Sequence, residues 1–561
     1  MASCARSRRV ARAGASIGVL VLAMAGPSAA APSVTYTADI SDSGIYAVAG
    51  VGVAADGSVW LAGTTTSHNL PVTAGAADTV FEPDDFDEGY VVKFGPDGEL
   101  LYASYLGGRN VDDVGGLALD GDGNVLIAGT TLSDDFPVSA GAYQPMLASA
   151  GTEDTFLVKL DADGALLDAT YFGGNGRDIF PAGTRGNPGA AVAVAPDQSI
   201  YLAGGTGSTN LPTAFGHQKN FGGGTQDAFL AKFSSEMSFQ SCTYHGGGNN
   251  EGAYRVRVDP MGGAYLLGLA TRILNEGWSF PTTPGALLSN PAGDVLLFVS
   301  KFEASGALAY ATFLGPDAGD QIFGEYQGDL GVDARGSAYV VGVTTSADYP
   351  TTAQAYQKML RGFSDLFVSK LDPSGTQLEY STYFGGTGAE VANGEPGVRI
   401  AVNLAGNAYV AANTSSLDLP LKQPFESRST GRFVTKLTAD GSDLLYSSYL
   451  LYSGLGIDAL TLAPAASGGG AGLETPADVY VAGPTAEPRG IAVVGIAESV
   501  ACAGDCGSDG AVDDEEIRTG VEIALARHLV GTCDNLDLDE DHRVTVPELV
   551  GAVRAKLEEC A

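Results

Sequence analysis

The stretch from Gly116 to Gly174 decides the fold. It reads GLALDGDGNVLIAGTT (116–131), then SDDFPVSAGAYQ (133–144), then DTFLVKLDADGALLDATYFGG (154–174). Asp-Gly pairs at 122–123 and 163–164 are typical of tight hairpin turns. Between turn signals lie four short apolar runs of strand length, at Leu117–Leu119, Val125–Ala128, Thr155–Leu160 and Leu166–Tyr171. The stretch therefore predicts one four-stranded antiparallel sheet.

Copies of this unit fill most of the chain. Its second strand recurs as VWLAGTTT (59–66), VLIAGTT (125–131), IYLAGGT (200–206), AYLLGLA (264–270), AYVVGVT (338–344), AYVAANT (408–414) and VYVAGPT (479–485). Seven copies of a four-strand unit, each about 70 residues long, are typical of a β-propeller. We therefore predict a mainly β fold, a seven-bladed propeller over residues 31–497.

The two ends of this region complement each other. The seventh unit supplies three strands, and the segment SVTYTADISDSG (33–44) resembles the fourth strand of a unit. The N-terminal strand is therefore predicted to complete the last blade. Closing the ring in this way removes open sheet edges.

Residues 1–30 have the features of a secretory signal peptide. Arg6, Arg8, Arg9 and Arg12 precede an apolar run at Ile17–Ala25, and small residues follow it. That run is too short to cross a bilayer, and no other stretch is predicted to span one. We expect an exported, extracellular or cell-surface protein, with cleavage after Ala30.

The chain is strongly acidic. Its formal charge is −36 over 561 residues, and the predicted signal peptide contains four arginines and no acid. Such a surface repels nucleic acids and anionic membranes. We expect neither as a partner.

The repeated phrases resemble the bacterial SBBP-type β-propeller repeats. They are the Pro loop DFPVSAGAYQ, the strand DTFLVKLDADG and the strand end ATYFGG, and the resemblance extends from about Val34 to Ile496. It implies a propeller in an exported bacterial protein and carries no established reaction. A fold of this kind supports many functions.

An acidic residue recurs after the fourth strand of the repeats. The members of this set are Asp113, Asp178, Glu251, Asp320, Glu390 and Asp458. One interpretation is a ring of carboxylates at one mouth of the propeller, forming a ligand face for a cation or a polyhydroxylated ligand. The alternative is that each carboxylate caps a turn by accepting backbone N–H bonds.

Two twelve-residue acidic loops lie in the C-terminal segment 498–561. Their ligand positions predict two Ca²⁺ sites because hard oxygen donors recur at the required spacing and end in a glutamate. The first loop offers Asp505, Gly507, Asp509, Ala511, Asp513 and Glu516, and the second offers Asp537, Asp539, Asp541, Arg543, Thr545 and Glu548. Gly507 has no side-chain oxygen, which predicts a weaker first site, and two acidic helix-entry loops are the alternative. Apolar helical spacing follows each loop.

This segment resembles paired EF-hand or dockerin-like repeats, which implies Ca²⁺-dependent docking to a cohesin-like partner. It departs from that family at Gly507, at His542 and in four clustered cysteines, Cys502, Cys506, Cys533 and Cys560. In an exported chain such a cluster predicts two disulfides. Pairings of Cys502 with Cys560 and Cys506 with Cys533 would staple the small domain, and other connectivities stay open.

Catalytic motifs are scarce. The five histidines show no HExxH motif and no paired spacing, so we expect them to be mostly solvated. The first hypothesis is a secreted, non-catalytic binding or scaffold protein with an unidentified protein or glycan ligand. The second is an extracellular polysaccharide-active enzyme whose propeller is catalytic and whose C-terminus is dockerin-like. A structural surface protein is the third.

Overall fold

Seven four-stranded antiparallel sheets account for all 28 strands that the structure describes. In this computed structural model the described residues are 32–497, except 42–43, 82–86, 179–189, 214–215, 274–275, 317–327, 392–396, 451–454, 464–478 and 487–488. The signal peptide and the whole C-terminal module, with its Ca²⁺ loops and cysteines, lie outside these residues. Both stay predictions.

Each sheet is one blade of the propeller. Blade 1 has β2 (Ile45–Val53), β3 (Val59–Thr65), β4 (Glu88–Phe94) and β5 (Leu100–Leu106), and blade 2 has β6 (Asp112–Leu119), β7 (Val125–Thr131), β8 (Asp154–Leu160) and β9 (Leu166–Phe172). Blade 3 has β10 (Ala190–Val194), β11 (Ile200–Thr206), β12 (Asp227–Phe233) and β13 (Phe239–His245). Blade 4 has β14 (Asn250–Val258), β15 (Ala264–Thr271), β16 (Val295–Phe302) and β17 (Leu308–Leu314).

The remaining blades follow the same order. Blade 5 has β18 (Asp329–Val332), β19 (Ala338–Thr344), β20 (Asp365–Leu371) and β21 (Leu378–Phe384), and blade 6 has β22 (Val398–Val402), β23 (Ala408–Asn413), β24 (Arg432–Leu437) and β25 (Leu444–Tyr449). Blade 7 has β26 (Ala459–Leu462), β27 (Val479–Ala486), β28 (Arg489–Ala497) and β1 (Ser33–Ser41). The prediction of seven four-stranded antiparallel blades is confirmed.

Ring closure occurs as the sequence predicted. Strand β1 pairs antiparallel with β28 in the sheet order β1-β28-β27-β26, with Ala38 opposite Val493. Alternate residues of β1 are buried, namely Tyr36, Ala38 and Ile40, while Thr37 and Asp39 are exposed. This period of two is what a strand with one covered face requires.

Blades are joined by tyrosine hydroxyls and by buried apolar side chains. The second strand of blade 4 carries Tyr265, whose hydroxyl donates to the carbonyl of Gly336 in blade 5 at 2.8 Å. Similarly, Tyr102 of blade 1 donates to Gly164 of blade 2 at 2.8 Å. Gly164 has φ of 91°, and a Cβ there would come within 2.4 Å of the Tyr102 ring. The Asp-Gly turn is therefore both a hairpin and a contact between blades.

The lysine of the third strand points toward the following blade. Lys159 of blade 2 lies 2.8 Å from Asp120 and donates to the carbonyl of Ser235 in blade 3 at 3.0 Å. Its counterpart Lys370 lies over the ring of Tyr339, 4.8 Å from the ring centroid. Lysines with little exposed surface are thus paired and stacked, which is the usual condition for burying them.

Candidate functional site

The innermost strands of the seven blades line a central cavity of about 470 Å³. Arg255, Asp329 and Arg399 occupy the same register position in blades 4, 5 and 6. They are paired with Leu267, Val341 and Ala411, respectively, in the second strand of each blade. Each of these partners directly precedes the glycine or alanine that recurs in the second strand. Three consecutive blades therefore place two arginines and one aspartate at one level of the channel.

At the same level the other blades have very small residues. They are Gly50, Gly116, Ala191 and Ala459, paired with Ala62, Ala128, Ala203 and Ala482. The channel is therefore charged on one side and open on the other. We call the charged side, formed by Arg255, Arg257, Asp329, Arg399 and Asp458, the arginine sector.

Asp329 lies at the centre of the arginine sector. Its Oδ1 accepts a hydrogen bond from Arg255 Nε at 3.0 Å and lies 3.4 Å from an Nη atom of Arg257. Its Oδ2 accepts from the backbone N–H of Ile400 in blade 6 at 3.1 Å. The side chain of Asp329 is 1 % exposed, so this carboxylate ties blade 4 to blade 6 inside the protein.

Arg399 and Asp458 extend the sector to blade 7. Arg399 Nε donates to the backbone carbonyl of Asp458, and Nη1 donates to the carbonyl of Val398 at 2.8 Å. The Oδ2 of Asp458 accepts from the backbone N–H of Val48 in blade 1 at 3.2 Å. These contacts fix the orientation of both side chains along the channel wall.

The charges of the sector influence one another. Burial opposes ionisation of Asp329, but Arg257, Arg255 and Arg399 outweigh it and lower the pKa of this carboxyl below its usual value. Burial, with Arg255 nearby, lowers the pKa of Arg399 to about 10. Asp329 and Arg399 are therefore charged at neutral pH. By formal charge, the three guanidinium groups and two carboxylates of the sector sum to one positive charge.

Arg257 is the accessible member of the sector. Its side chain is 38 % exposed, against 10 % for that of Arg255. Arg257 lines the channel, and burial among the channel walls lowers the pKa of its guanidinium group. The described contacts of Arg257 use Nη1, which donates to the Val256 carbonyl at 3.0 Å, and the long contact with Asp329. This guanidinium is the group best placed to meet an anionic ligand in the channel.

Three members of the predicted acidic set accept hydrogen bonds from the turns that follow the fourth strands. Asp178 accepts hydrogen bonds from the N–H of Gly174 and the hydroxyl of Ser208, and Glu390 accepts from the N–H of Gly386 and the hydroxyl of Ser416. Glu251 likewise accepts from the N–H of Gly247 at 3.0 Å. All three are at most 1 % exposed. In the described residues these carboxylates cap turns, the alternative given above, while their role toward a ligand stays a prediction.

Three members of the set differ from this description. In blade 2 the turn-capping residue is Asp112 and not Asp113: Asp112 accepts from the N–H of Gly108 at 2.8 Å. Asp113 is the next residue of strand β6, where it is paired with Thr130. Asp458 belongs to the arginine sector, and Asp320 lies outside the described residues.

A second acidic position recurs at the start of the third strand. In blades 1, 2, 3 and 5 it is occupied by Glu88, Asp154, Asp227 and Asp365, all fully buried. A glutamine of the Pro loop donates to each of the three aspartates: Gln144 to Asp154 at 2.6 Å, Gln218 to Asp227 at 3.4 Å and Gln357 to Asp365 at 2.6 Å. We call Asp154 with Asp178, Asp227 with Glu251, and Asp365 with Glu390 the carboxyl pairs.

The carboxyl pairs have unusual acidities. Burial, opposed by hydrogen bonds and reinforced by the neighbouring acid, raises the pKa of Asp178 to about 7 and that of Glu251 to about 8. Burial also raises the pKa of Asp227 to about 7. Within the described residues no three His, Cys, Asp or Glu side chains converge as a metal site. The pairs are therefore units of two acids supported by one amide.

His245 was expected to be solvated and is instead fully buried. It ends strand β13, and its Nε2 lies 2.7 Å from the hydroxyl of Ser300 in blade 4. Rings of Phe280, Phe298 and Phe302 surround it, with centroids 4.8, 5.8 and 5.2 Å away. Burial, together with His217, lowers the pKa of His245 to about 3. The imidazole is therefore neutral in the folded protein.

This burial predicts an acid-sensitive contact between blades 3 and 4. In the unfolded chain His245 is protonated below about pH 6.5, whereas the folded protein keeps it neutral down to about pH 3. Its contribution to stability is therefore present above pH 6.5 and is lost as the pH falls. We expect this contribution to fall by about 2 kcal/mol between pH 7 and pH 5. Buried acids with raised pKa values, such as Asp178 and Glu251, change stability in the opposite direction, so the contribution is measured by urea denaturation of the unmodified protein and of a His245 variant at both pH values.

The matched variant for this measurement is His245→Leu, with the exposed His68→Gln as control. His245→Leu should show a smaller loss of stability on acidification than the unmodified protein, while His68→Gln should follow the unmodified protein. Identical pH dependence in His245→Leu and the unmodified protein would contradict the assignment.

Sequence reasoning missed the arginine sector and the partner acids of the carboxyl pairs. A signal for the first was present, because YRVRV (254–258) and VRIAV (398–402) carry arginines where the corresponding strand of blade 2 reads GLAL (116–119). A signal for the second was the acid at the start of the repeated third strand, as in DTFLVKL (154–160), DAFLAKF (227–233) and DLFVSKL (365–371).

Within the described residues no helix is long and apolar enough to cross a membrane.

Comparisons with known proteins bear on the fold. The family described as beta-propeller repeat (SBBP) matches residues 101–137. Regulatory protein FlaEY of Caulobacter vibrioides is 26% identical over 398 residues, which cover 66% of this chain and 37% of that protein. The chain therefore spans little more than a third of the length of this relative.

Solved structures give weak similarities. Polysaccharide lyase Uly1 is 9% identical with a TM-score of 0.40, covering 83% of this chain and 99% of that chain. Regucalcin of Agrobacterium tumefaciens is 10% identical with a TM-score of 0.30, covering 68% of this chain and 88% of that chain. From these seven sheets and the family match, the described part of the chain is a seven-bladed β-propeller in which residues 101–137 match the SBBP repeat.

Proposed function

We propose that the protein is an exported, non-catalytic binding protein whose propeller channel holds an acidic group of its ligand. The observation that carries this proposal is the arginine sector, where three arginines line a cavity of about 470 Å³. Guanidinium groups bind carboxylate and sulfate through paired hydrogen bonds. The ligand class is a small molecule or glycan that bears one of these groups.

The charge distribution supports this choice. The chain as a whole is strongly acidic, so positive charge in its channel is a local exception. Solvent-filled channels with low-dielectric walls strengthen such a local field. The four small residues on the opposite side leave room beside the arginines.

We also propose that the C-terminal segment binds Ca²⁺ and docks the protein to a partner.

Isothermal titration with uronic-acid oligosaccharides tests the proposal, with neutral oligosaccharides of equal length as comparison. We expect binding of the acidic series only, and a decrease of about 10-fold or more in affinity for Arg257→Gln because a charge-assisted hydrogen bond is lost. Arg335→Gln is the matched control, since Arg335 is exposed in the turn between β18 and β19.

The binding and product measurements decide the question. Equal binding of neutral and acidic oligosaccharides, or an unchanged affinity in Arg257→Gln, would overturn the channel site. Mass spectrometry of the bound oligosaccharides addresses the alternative of a polysaccharide-active enzyme. Intact oligosaccharides support a binding protein, and shortened products support the enzyme.

A further inference from the structure

The carboxyl pairs lie at junctions between blades. Asp154 begins strand β8 of blade 2, while its partner Asp178 accepts from the hydroxyl of Ser208, which follows the second strand of blade 3, at 2.9 Å. Asp227 begins strand β12 of blade 3, and its partner Glu251 belongs to strand β14 of blade 4. Each of these two pairs therefore joins consecutive blades.

The third pair joins blades 5 and 6. Asp365 begins strand β20, and Glu390 accepts from the hydroxyls of Thr414 at 3.1 Å and Ser416 at 2.6 Å, which follow the second strand of blade 6. The two carboxyl groups lie within hydrogen-bond distance of each other. They approach beside Gly385, where a Cβ would stand 2.5 Å from Asp365 Oδ1 and 2.6 Å from Glu390 Oε2. A glycine at this place lets the two acids meet.

In each pair at least one oxygen lacks an N–H or O–H donor among the described residues. Both donors to Asp154, the Gln144 amide and the Ala148 N–H, bind its Oδ2, at 2.6 and 2.8 Å. Its Oδ1 has none and adjoins the same glycine as Asp178 Oδ2, which already accepts from the N–H of Gly174 at 2.7 Å. A proton on Asp154 Oδ1 would complete a hydrogen bond that two carboxylates cannot make.

The other two pairs show the same pattern in the part of the chain that the structure describes. Asp227 Oδ1 has no donor and adjoins Gly246 together with Glu251 Oε2, which accepts a backbone N–H at 3.0 Å. Glu390 Oε2 has no donor and faces Asp365 Oδ1. The donor-free oxygen thus belongs to the third-strand acid in blades 2 and 3 and to the turn acid in blade 5. In every case one proton supplies the missing hydrogen bond.

We propose that each carboxyl pair holds one proton shared between its two acids, so that the three pairs are proton-dependent links between blades 2 and 3, blades 3 and 4, and blades 5 and 6. Loss of the proton leaves two buried negative charges facing each other, which repel and loosen the junction. The middle link lies on the strand that carries Arg255, because Glu251 and Arg255 both belong to β14. Alkaline pH therefore weakens the ring beside the arginine sector.

The charged groups around the pairs do not replace this proton. Arg177 forms an ion pair with Glu153 at 2.7 Å, and Arg361 donates its backbone N–H to Asp365 at 2.9 Å. His245, which precedes the glycine beside the pair of blade 3, is neutral. The charge that acts on the turn acid of each pair is that of the third-strand acid. A shared proton removes this repulsion.

The acidities of the pairs agree with a retained proton. Burial, reinforced by the partner acid, raises the pKa of Asp178 and of Glu390 to about 7, and burial raises the pKa of Asp227 to about 7. The same acids in an unfolded chain have a pKa of about 4. The stability that the links contribute is therefore fully present below about pH 4 and is lost as the pH rises through about 7.

Three other junctions differ from these. The third strands of blades 4 and 6 begin with Val295 and Arg432, which are not acids, so the proposal assigns no shared proton there. At the junction of blades 1 and 2, Glu88 and Asp112 both adjoin Gly107, and burial raises the pKa of Asp112 to about 7. This acid titrates in the same range as the pairs. The experiment therefore compares variants of the pairs with the unmodified protein.

The experiment replaces the donor-free oxygen by an amide NH₂ group. In Asp154→Asn the amide can donate to Asp178 at any pH and takes the place of the shared proton. The urea midpoint of the unmodified full chain should fall between about pH 6 and about pH 9, with a decrease in the folding equilibrium constant of up to about 100-fold for each pair. The midpoints of Asp154→Asn and Glu390→Gln should fall by less. Asp122→Asn, in an exposed turn of blade 2, is the control and should follow the unmodified protein.

Infrared spectroscopy gives a second measurement on the folded protein. A protonated carboxyl group has a C=O stretching band that a carboxylate lacks, and at about pH 6 the exposed acids are ionised. We expect this band at about pH 6, its loss by about pH 9, and a weaker band in Asp154→Asn than in Asp122→Asn.

Equal falls of the urea midpoint in Asp154→Asn, Glu390→Gln and Asp122→Asn would overturn the proposal, and so would a midpoint that does not fall in the unmodified protein. Should the amide variants fail to fold, the infrared spectrum of the unmodified protein decides. A band that disappears between the two pH values supports the shared protons, and absence of the band at about pH 6 overturns them.

Discussion

Tyr36→Ala is expected to lower the free energy of unfolding by about 3–5 kcal/mol, the usual result of truncating a buried aromatic side chain. Tyr36 lies on the closing strand β1 and is 4 % exposed. Its ring meets that of Tyr480 in blade 7 edge-on at 5.5 Å, and its hydroxyl donates to the Gly95 carbonyl of blade 1 at 3.1 Å. One side chain therefore joins the last blade to the first.

Denaturant unfolding, with size-exclusion chromatography in parallel, measures this effect. Loss of the closing strand would uncover the edge of β28, and exposed strand edges pair between molecules. We therefore expect Tyr36→Ala to form oligomers at lower denaturant concentration than the unmodified protein. Thr37→Ala, on the exposed face of the same strand, should stay within about 0.5 kcal/mol of it. Equal stability of the two variants would mean that β1 does not hold the ring closed.

Asp329→Ala is expected to destabilise the protein by about 3–5 kcal/mol, because it leaves the buried guanidinium group of Arg255 without its carboxylate. The side chain of Arg255 is 10 % exposed and has its charge-assisted hydrogen bond with Asp329. The backbone N–H of Ile400 would lose its acceptor as well. The variant therefore removes support from blades 4 and 6 at once.

The double substitution Arg255→Leu with Asp329→Leu tests the cause of this loss. Replacing both partners of a buried pair by apolar residues is often nearly neutral, so part of the stability should return. Calorimetric unfolding of the single and double variants supplies the comparison. If the double variant were no more stable than Asp329→Ala, the unpaired charge of Arg255 would not be the reason for the loss.

The fold was predictable because each blade repeats the same local rules. Asp-Gly turns, strands of four to nine residues and a glycine in the second strand, replaced by alanine in blade 6, recur at intervals of about 70 residues. The closing strand was predictable too, since SVTYTADIS alternates buried and exposed residues and the last unit needed one strand more.

The arginine sector was not predictable from this pattern, because it consists of departures from the repeat. Arg255, Asp329 and Arg399 are separated by 74 and 70 residues, and only the circular arrangement of blades brings them together. A search for repeated residues discards such positions. The acidic set shows that recurrence alone does not distinguish neighbouring acids. It identified Asp178 and Glu390 correctly as turn-capping positions, but it selected Asp113 where the adjacent Asp112 caps the turn.

The arginine sector also breaks the rotational pseudosymmetry of the ring. Seven similar blades would present a ligand with seven equivalent orientations about the channel axis, but charge occurs on the blades 4 to 6 side and small residues face it. Of those seven orientations only one places an acidic group against Arg257. A molecule in the channel would thus bind in a single pose and with a stoichiometry of one, although the scaffold around it is sevenfold.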